Sequence, residues 1–153
     1  MSTQLRPTLP PRNRVILSLA FCSFLFIVLI VIGGVSAFRL GSIRVKQADV
    51  GAGQFLVALE KSDDQTAFNL LSLQARNGKT VQTLRDDMGT MAKRYGHPVS
   101  HRRQPGFYMN TINGVTSVRL VYQETFEKGG MVVTISMSSE GGKWRVLGFN
   151  FQP

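Results

Sequence analysis

Between Arg14 and Arg39 the chain runs for 24 residues without a charged side chain, and sixteen of them are Leu, Ile, Val or Phe. A helix of that length rises about 36 Å at 1.5 Å per residue, enough to cross a hydrocarbon core of about 30 Å with some tilt. Each of those side chains favours insertion by roughly 0.3 to 0.6 kcal/mol near the bilayer centre, so the sum favours a stable span from about Val15 to Phe38. The competing reading is a cleaved secretory signal, because Val35-Ser36-Ala37 offers small residues before a cut. A signal's apolar region, however, normally runs only about 7 to 15 residues.

Orientation turns on charge and length. Arg6, Arg12 and Arg14 precede the span; Arg39, Arg44 and Lys46 follow it closely, so flanking charge is nearly balanced. A long following domain is translocated largely regardless of its charge, and no acid opposes the arginines of the short arm. The expectation is an N-terminus in the cytoplasm and a domain outside it, in the manner of a bacterial inner-membrane protein facing the periplasm. The organisation is therefore a basic arm over 1–14, a span over 15–38, a juxtamembrane connector over 39–47 and one domain over 48–153, with no room for a second.

The formal charge of +9 leaves fifteen basic against nine acidic residues after the arm. That favours anionic partners, lipid headgroups first. The cations are scattered, and no recognition helix, finger or aromatic RNA-binding signature accompanies them, which argues against nucleic acid. The single cysteine, Cys22, lies in the apolar run, so no intramolecular disulfide is possible.

Past the connector, Ala52, Phe55, Leu56 and Leu59 recur with the spacing of one helical stripe. Ser62-Asp63-Asp64-Gln65 has the spacing of a capping box ahead of Ala67, Leu70 and Leu71, which predicts a second helix ending near Asn77-Gly78. A third opens near Thr80, carries Val81, Leu84, Met88, Met91 and Tyr95 on one face, and stops at Gly96 before Pro98. From Val99 the period becomes two. Asn113-Gly114 signals a type I′ hairpin between Phe107–Ile112 and a long strand beginning at Val115. Lys128-Gly129-Gly130 and Glu140-Gly141-Gly142 mark further turns into Met131–Ser138 and Trp144–Phe151. The pattern predicts an α+β domain: about three helices on one face of a curved antiparallel sheet of four to five strands. Phe55, Leu59, Leu84, Met88, Val118, Leu120, Val133, Ile135 and Trp144 are expected to meet between the layers.

Gln54-Phe55-Leu56-Val57-Ala58-Leu59, followed by Asp63-Asp64 and Ala67 to Leu71, and the closing Gly142-Lys143-Trp144-Arg145-Val146-Leu147-Gly148-Phe149 carry a resemblance. Over roughly residues 48 to 153 the sequence resembles the cone-shaped α+β domains of the nuclear-transport-factor-two-like superfamily, especially short bacterial members with a membrane anchor. The resemblance implies a short strand between the second and third helices, and none is legible between Leu71 and Thr80. Tyr95-Gly96-His97-Pro98, Gly129-Gly130 and Gly142-Lys143-Trp144 also give a looser resemblance to membrane-anchored cytochrome-oxidase assembly factors.

No zinc spacing, phosphate loop, nucleophile elbow or dinucleotide fingerprint occurs, so no cofactor is expected. His97 and His101 are four apart, but Gly96 and Pro98 deny them a shared helical face, and spacing offers no third metal ligand. Lys93, Arg94, His97, His101, Arg102 and Arg103 form the densest charge feature: an ordinary solvated surface, or a contact for anionic lipid or an acidic partner. Glu124 shares the alternation of Leu120, Tyr122 and Phe126, where a carboxylate is costly to bury. Either it reaches water near the Lys128 turn, or it lines the cone's mouth with Tyr122 or Tyr108 and carries a raised pKa. The function expected is that of an accessory protein, an assembly factor or small subunit that binds another membrane or envelope protein. The alternatives are a ligand-binding or enzymatic pocket between helices and sheet, and self-association.

Overall fold

The computed structural model describes residues 41–152, which form an α+β domain of four helices on a five-stranded antiparallel sheet. Residues 41–60 are one helix, α1. Its stripe of Ala48, Ala52, Phe55, Leu56 and Leu59 is buried to 4% exposure or less. A Cβ on Gly51 would stand 3.0 Å from Met137 Cε, so the glycine lets this helix lie close against the sheet. Among the described residues no helix is long and apolar enough to cross a membrane. The expected span over 15–38, and the arm before it, lie outside the described residues.

Asp63 starts α2, Asp64–Leu70, by accepting from the Thr66 amide at 3.0 Å. The sequence predicts that this helix continues to Asn77-Gly78, and here the structure differs. Leu71 turns to extended geometry and bridges Val146 in parallel, the Ser72 amide donates to the Val146 carbonyl at 2.8 Å, and Ser72 caps the one-turn α3, Leu73–Arg76. Burial explains the break, since Leu71 and Ser72 are 2% and 0% exposed and Ser competes with the helix ladder by capping. One bridge thus stands where the family resemblance implies a short strand.

A reciprocal box between Thr80 and Thr83 opens α4, Val81–Tyr95, which buries Leu84 and lays Met88 against the core. It ends at Gly96, whose φ of 80° suits a residue without a Cβ.

The strands are β1, Pro98–Arg103; β2, Tyr108–Ile112; β3, Val115–Phe126; β4, Gly129–Glu140; and β5, Lys143–Gln152. The order is β1-β3-β4-β5, with β2 also paired to β3. Asn113 and Gly114 have φ of 51° and 79°, the geometry of a type I′ turn. Val118, Leu120 and Tyr122 of β3 and Val133, Ile135 and Met137 of β4 point toward the helices and are nearly or wholly buried. All nine residues expected in the core are there, with Met88 and Trp144 partly buried at its rim.

Candidate functional site

Strand alternation divides the cationic run after α4. Lys93, Arg94, His97 and Arg102 are exposed, whereas His101 and Arg103 turn toward α1. Register then sets two pairs side by side across β1 and β3: His101 opposite Glu124, and Arg103 opposite Tyr122. α1 faces these pairs with Asp49 and Glu60, eleven residues apart and so about three full turns along one face.

The Arg103 end is fully connected. The Tyr122 hydroxyl donates to Asp49 Oδ1, Arg103 Nε lies 3.2 Å from the same oxygen, and the guanidinium carbon sits 5.6 Å from the Tyr122 ring centre. Burial, and then the hydrogen bond to Asp49, push the Tyr122 phenol far above its ordinary range. A tyrosine so held stays neutral and acts as a packed strut with a satisfied hydroxyl.

The His101 end is not. His101 Nδ1 donates to Glu60 Oε1 at 2.7 Å, and the imidazole edge meets the Tyr122 ring at 5.8 Å between centres. Glu124 is 1% exposed, and among the described residues neither of its carboxyl oxygens has a hydrogen-bond partner. Burial pushes its carboxyl up to about 8, and the charge on Glu60 adds to the rise. The reading in which Glu124 reaches water near the Lys128 turn is therefore overturned. β1 runs alongside it, and the strand's bulge falls between Pro98 and Ser100, clear of the His101–Glu124 pair.

Tyr108 does not join this group. It is 63% exposed and pairs with Arg119, five positions along β3 from Glu124, or about 17 Å. Its neighbour Met109 is the residue of β2 that packs on the core. The cone's mouth as drawn from sequence, with Glu124, Tyr122 and Tyr108 together, thus reduces to Tyr122 and Glu124, both beneath α1.

Sequence spacing names no third ligand for the histidines; in the fold, two carboxylates come to lie beside His101. Glu60, His101 and Glu124 bring one ligand atom each to within 4.8 Å of one another. His97 stays outside, exposed, with its amide on Glu127 Oε2 at 3.1 Å. Glu60 and Asp49 are the site residues that sequence reading misses, although both stand on a helix whose apolar stripe is legible.

Tyr122, Phe55, Leu56, Leu84, Leu120, Ile135 and Met137 are all at 2% exposure or less, but a cleft of about 470 Å³ opens between α3, α4 and β5, lined by Leu71, Ala75, Asp87 and Phe149. Two further clefts are smaller. One of about 120 Å³ is lined by Asp64, Arg85, Met88 and His97, with Arg85 Nε on Asp64 Oδ2 at 2.7 Å. Another, a trough of about 390 Å³, runs over Arg119, Val121, Thr134 and Ser136 on the sheet.

No family model matches the chain, and no curated protein does. Among solved structures it is similar to Bd1075 of Bdellovibrio bacteriovorus, at 14% identity and a TM-score of 0.45, over 65% of this chain and 37% of that one. It is also similar to Aln2 from a Streptomyces species, at 11% identity and a TM-score of 0.48, over 71% of this chain and 88% of that one. The chain thus spans little more than a third of Bd1075. Likenesses this low carry no argument about family or activity.

Proposed function

We propose that this is a membrane-anchored accessory protein, held by residues 15–38 with its domain outside the cytoplasm, whose cone-like domain binds another membrane or envelope protein through the outer face of its sheet. The observation that carries the reading is the exposure of Tyr108, Ile112 and Val115, at 63%, 63% and 50%, on the sheet face that the helices leave uncovered. The solvated face of an antiparallel sheet is ordinarily polar, and a grouped exposure of large apolar side chains marks a binding surface. Arg119, exposed and paired with Tyr108, adds a cation to that face. The partner that fits is a protein surface with apolar side chains around a carboxylate. A second copy fits less well, because the residues around Arg119, among them Val121, Thr134, Ser136, Asn150 and Gln152, offer no carboxylate to pair with it.

The test is a photo-crosslinking residue placed at Ile112, and separately at Gln65 on α2, in the full chain in its native membrane. A discrete adduct with a different protein from position 112, absent from position 65 and weakened by Arg119→Glu, is the expected result. An adduct of twice the chain's mass, a lipid adduct, or equal yields from both positions would overturn the reading.

A further inference from the structure

We infer that Glu60, His101 and Glu124 form a binding site for one divalent first-row transition-metal ion, with Zn²⁺ as the natural probe. The three come from α1, β1 and β3, so the site exists only in the folded domain. Their ligand atoms lie within 4.8 Å of one another, and any pair at that limit must close toward roughly 3.3 Å for one tetrahedral ion to hold both. Glu124 supplies the independent observation: a carboxyl group 1% exposed, aimed into the cluster, with both oxygens unpartnered among the described residues. Buried carboxylates are retained where something pairs with them, and among the described residues no cation of the protein does.

The donor set suits this class of ion. An imidazole nitrogen and two carboxylate oxygens match Zn²⁺, Mn²⁺ or Fe²⁺ better than the all-oxygen shells that Ca²⁺ and Mg²⁺ take. The ion would replace the proton that His101 Nδ1 shares with Glu60 Oε1 at 2.7 Å. With metal–ligand distances near 2.0 to 2.2 Å, that pair has to open by roughly half an ångström. Glu60 is the adjustable member: its side chain is 16% exposed and comes from the last turn of α1, next to the turn at Ser62. Three protein ligands leave a further coordination position for water or a partner's side chain.

The experiment uses the full chain in detergent, stripped with a chelator and titrated with Co²⁺, then Zn²⁺. One equivalent of Co²⁺ should give visible ligand-field absorption that Zn²⁺ abolishes, and Zn²⁺ should raise the melting temperature. Glu124→Gln and Glu60→Gln should each weaken binding by roughly a hundredfold or more, beyond what loss of an outer partner costs. Glu60→Gln keeps a same-sized polar group at a partly exposed position, so it separates lost ligation from lost folding. His97→Ala should change nothing. Absent absorption at millimolar Co²⁺, or binding that survives Glu60→Gln and Glu124→Gln, or binding lost only in His97→Ala, would overturn the site.

Discussion

His101 and Glu124 stand opposite each other across β1 and β3, yet only His101 has a partner, Glu60, while the carboxyl beside it is buried without one among the described residues. Neighbouring positions on one sheet face thus carry a satisfied and an unsatisfied group. This asymmetry distinguishes the His101 end of the cluster from the Arg103 end, where Asp49, Tyr122 and Arg103 close on one another.

An unpaired buried carboxyl is a stability cost that an apolar side chain of similar volume removes. In chelator at neutral pH, Glu124→Met should stabilise the domain by about 1 to 3 kcal/mol. Denaturant unfolding measures this, and a loss of stability would show that Glu124 is satisfied in solution.

Leu120 and Leu84 are 0% and 2% exposed and belong to the core between the layers. Truncating either to Ala should cost about 2 to 5 kcal/mol, a large share of what a domain of this size has. The midpoint of urea unfolding is the readout; an unchanged midpoint would mean the layers do not pack there.

The end of α4 is held by the approach of Gly96 to Glu127, where a Cβ would come within 2.6 Å of the Glu127 Cβ. Gly96 also has positive φ, so Gly96→Ala meets both a clash and a strained backbone. At a compatible site such a change stabilises by up to about 1 kcal/mol, and here the expected loss exceeds that magnitude. Urea unfolding measures it, and a variant as stable as the native chain would mean that the close approach does not hold in solution.

Much of this was legible because alternation and turn chemistry are local. Asn113-Gly114 names its own turn, and Val118, Leu120 and Tyr122 declare their face by period. The break at Leu71 was not legible, because the reason for it is Val146, a residue of the last strand. Glu60 stayed hidden for the same reason: nothing local distinguishes it from a solvated acid at a helix end, and its meaning comes from His101 and Glu124 across the fold. Tyr108 falls on the opposite face from Tyr122 because one slip of parity in β2 moves a side chain from one side of the sheet to the other.

Asp63 gives the pH signature. Its hydrogen bonds with Thr66 lower its pKa from the ordinary 3.8. A carboxylate with a lowered folded pKa contributes stability above its unfolded value, and that contribution fades as pH falls through the folded value. The stability difference between the native chain and Asp63→Ala should therefore be largest at neutral pH and shrink steadily in acid. Melting temperatures of both across that range test it; a difference that grows in acid would contradict it.

The docking face can be tested most directly by its accessibility in place. In a chain carrying Cys22→Ala, the variants Ile112→Cys and, separately, Gln65→Cys are treated with a hydrophilic maleimide, first in native membranes and then after purification in detergent. Position 112 should label much more slowly in membranes than in detergent, while position 65 labels equally in both. Equal labelling of position 112 in the two states would mean that nothing covers the outer face of the sheet.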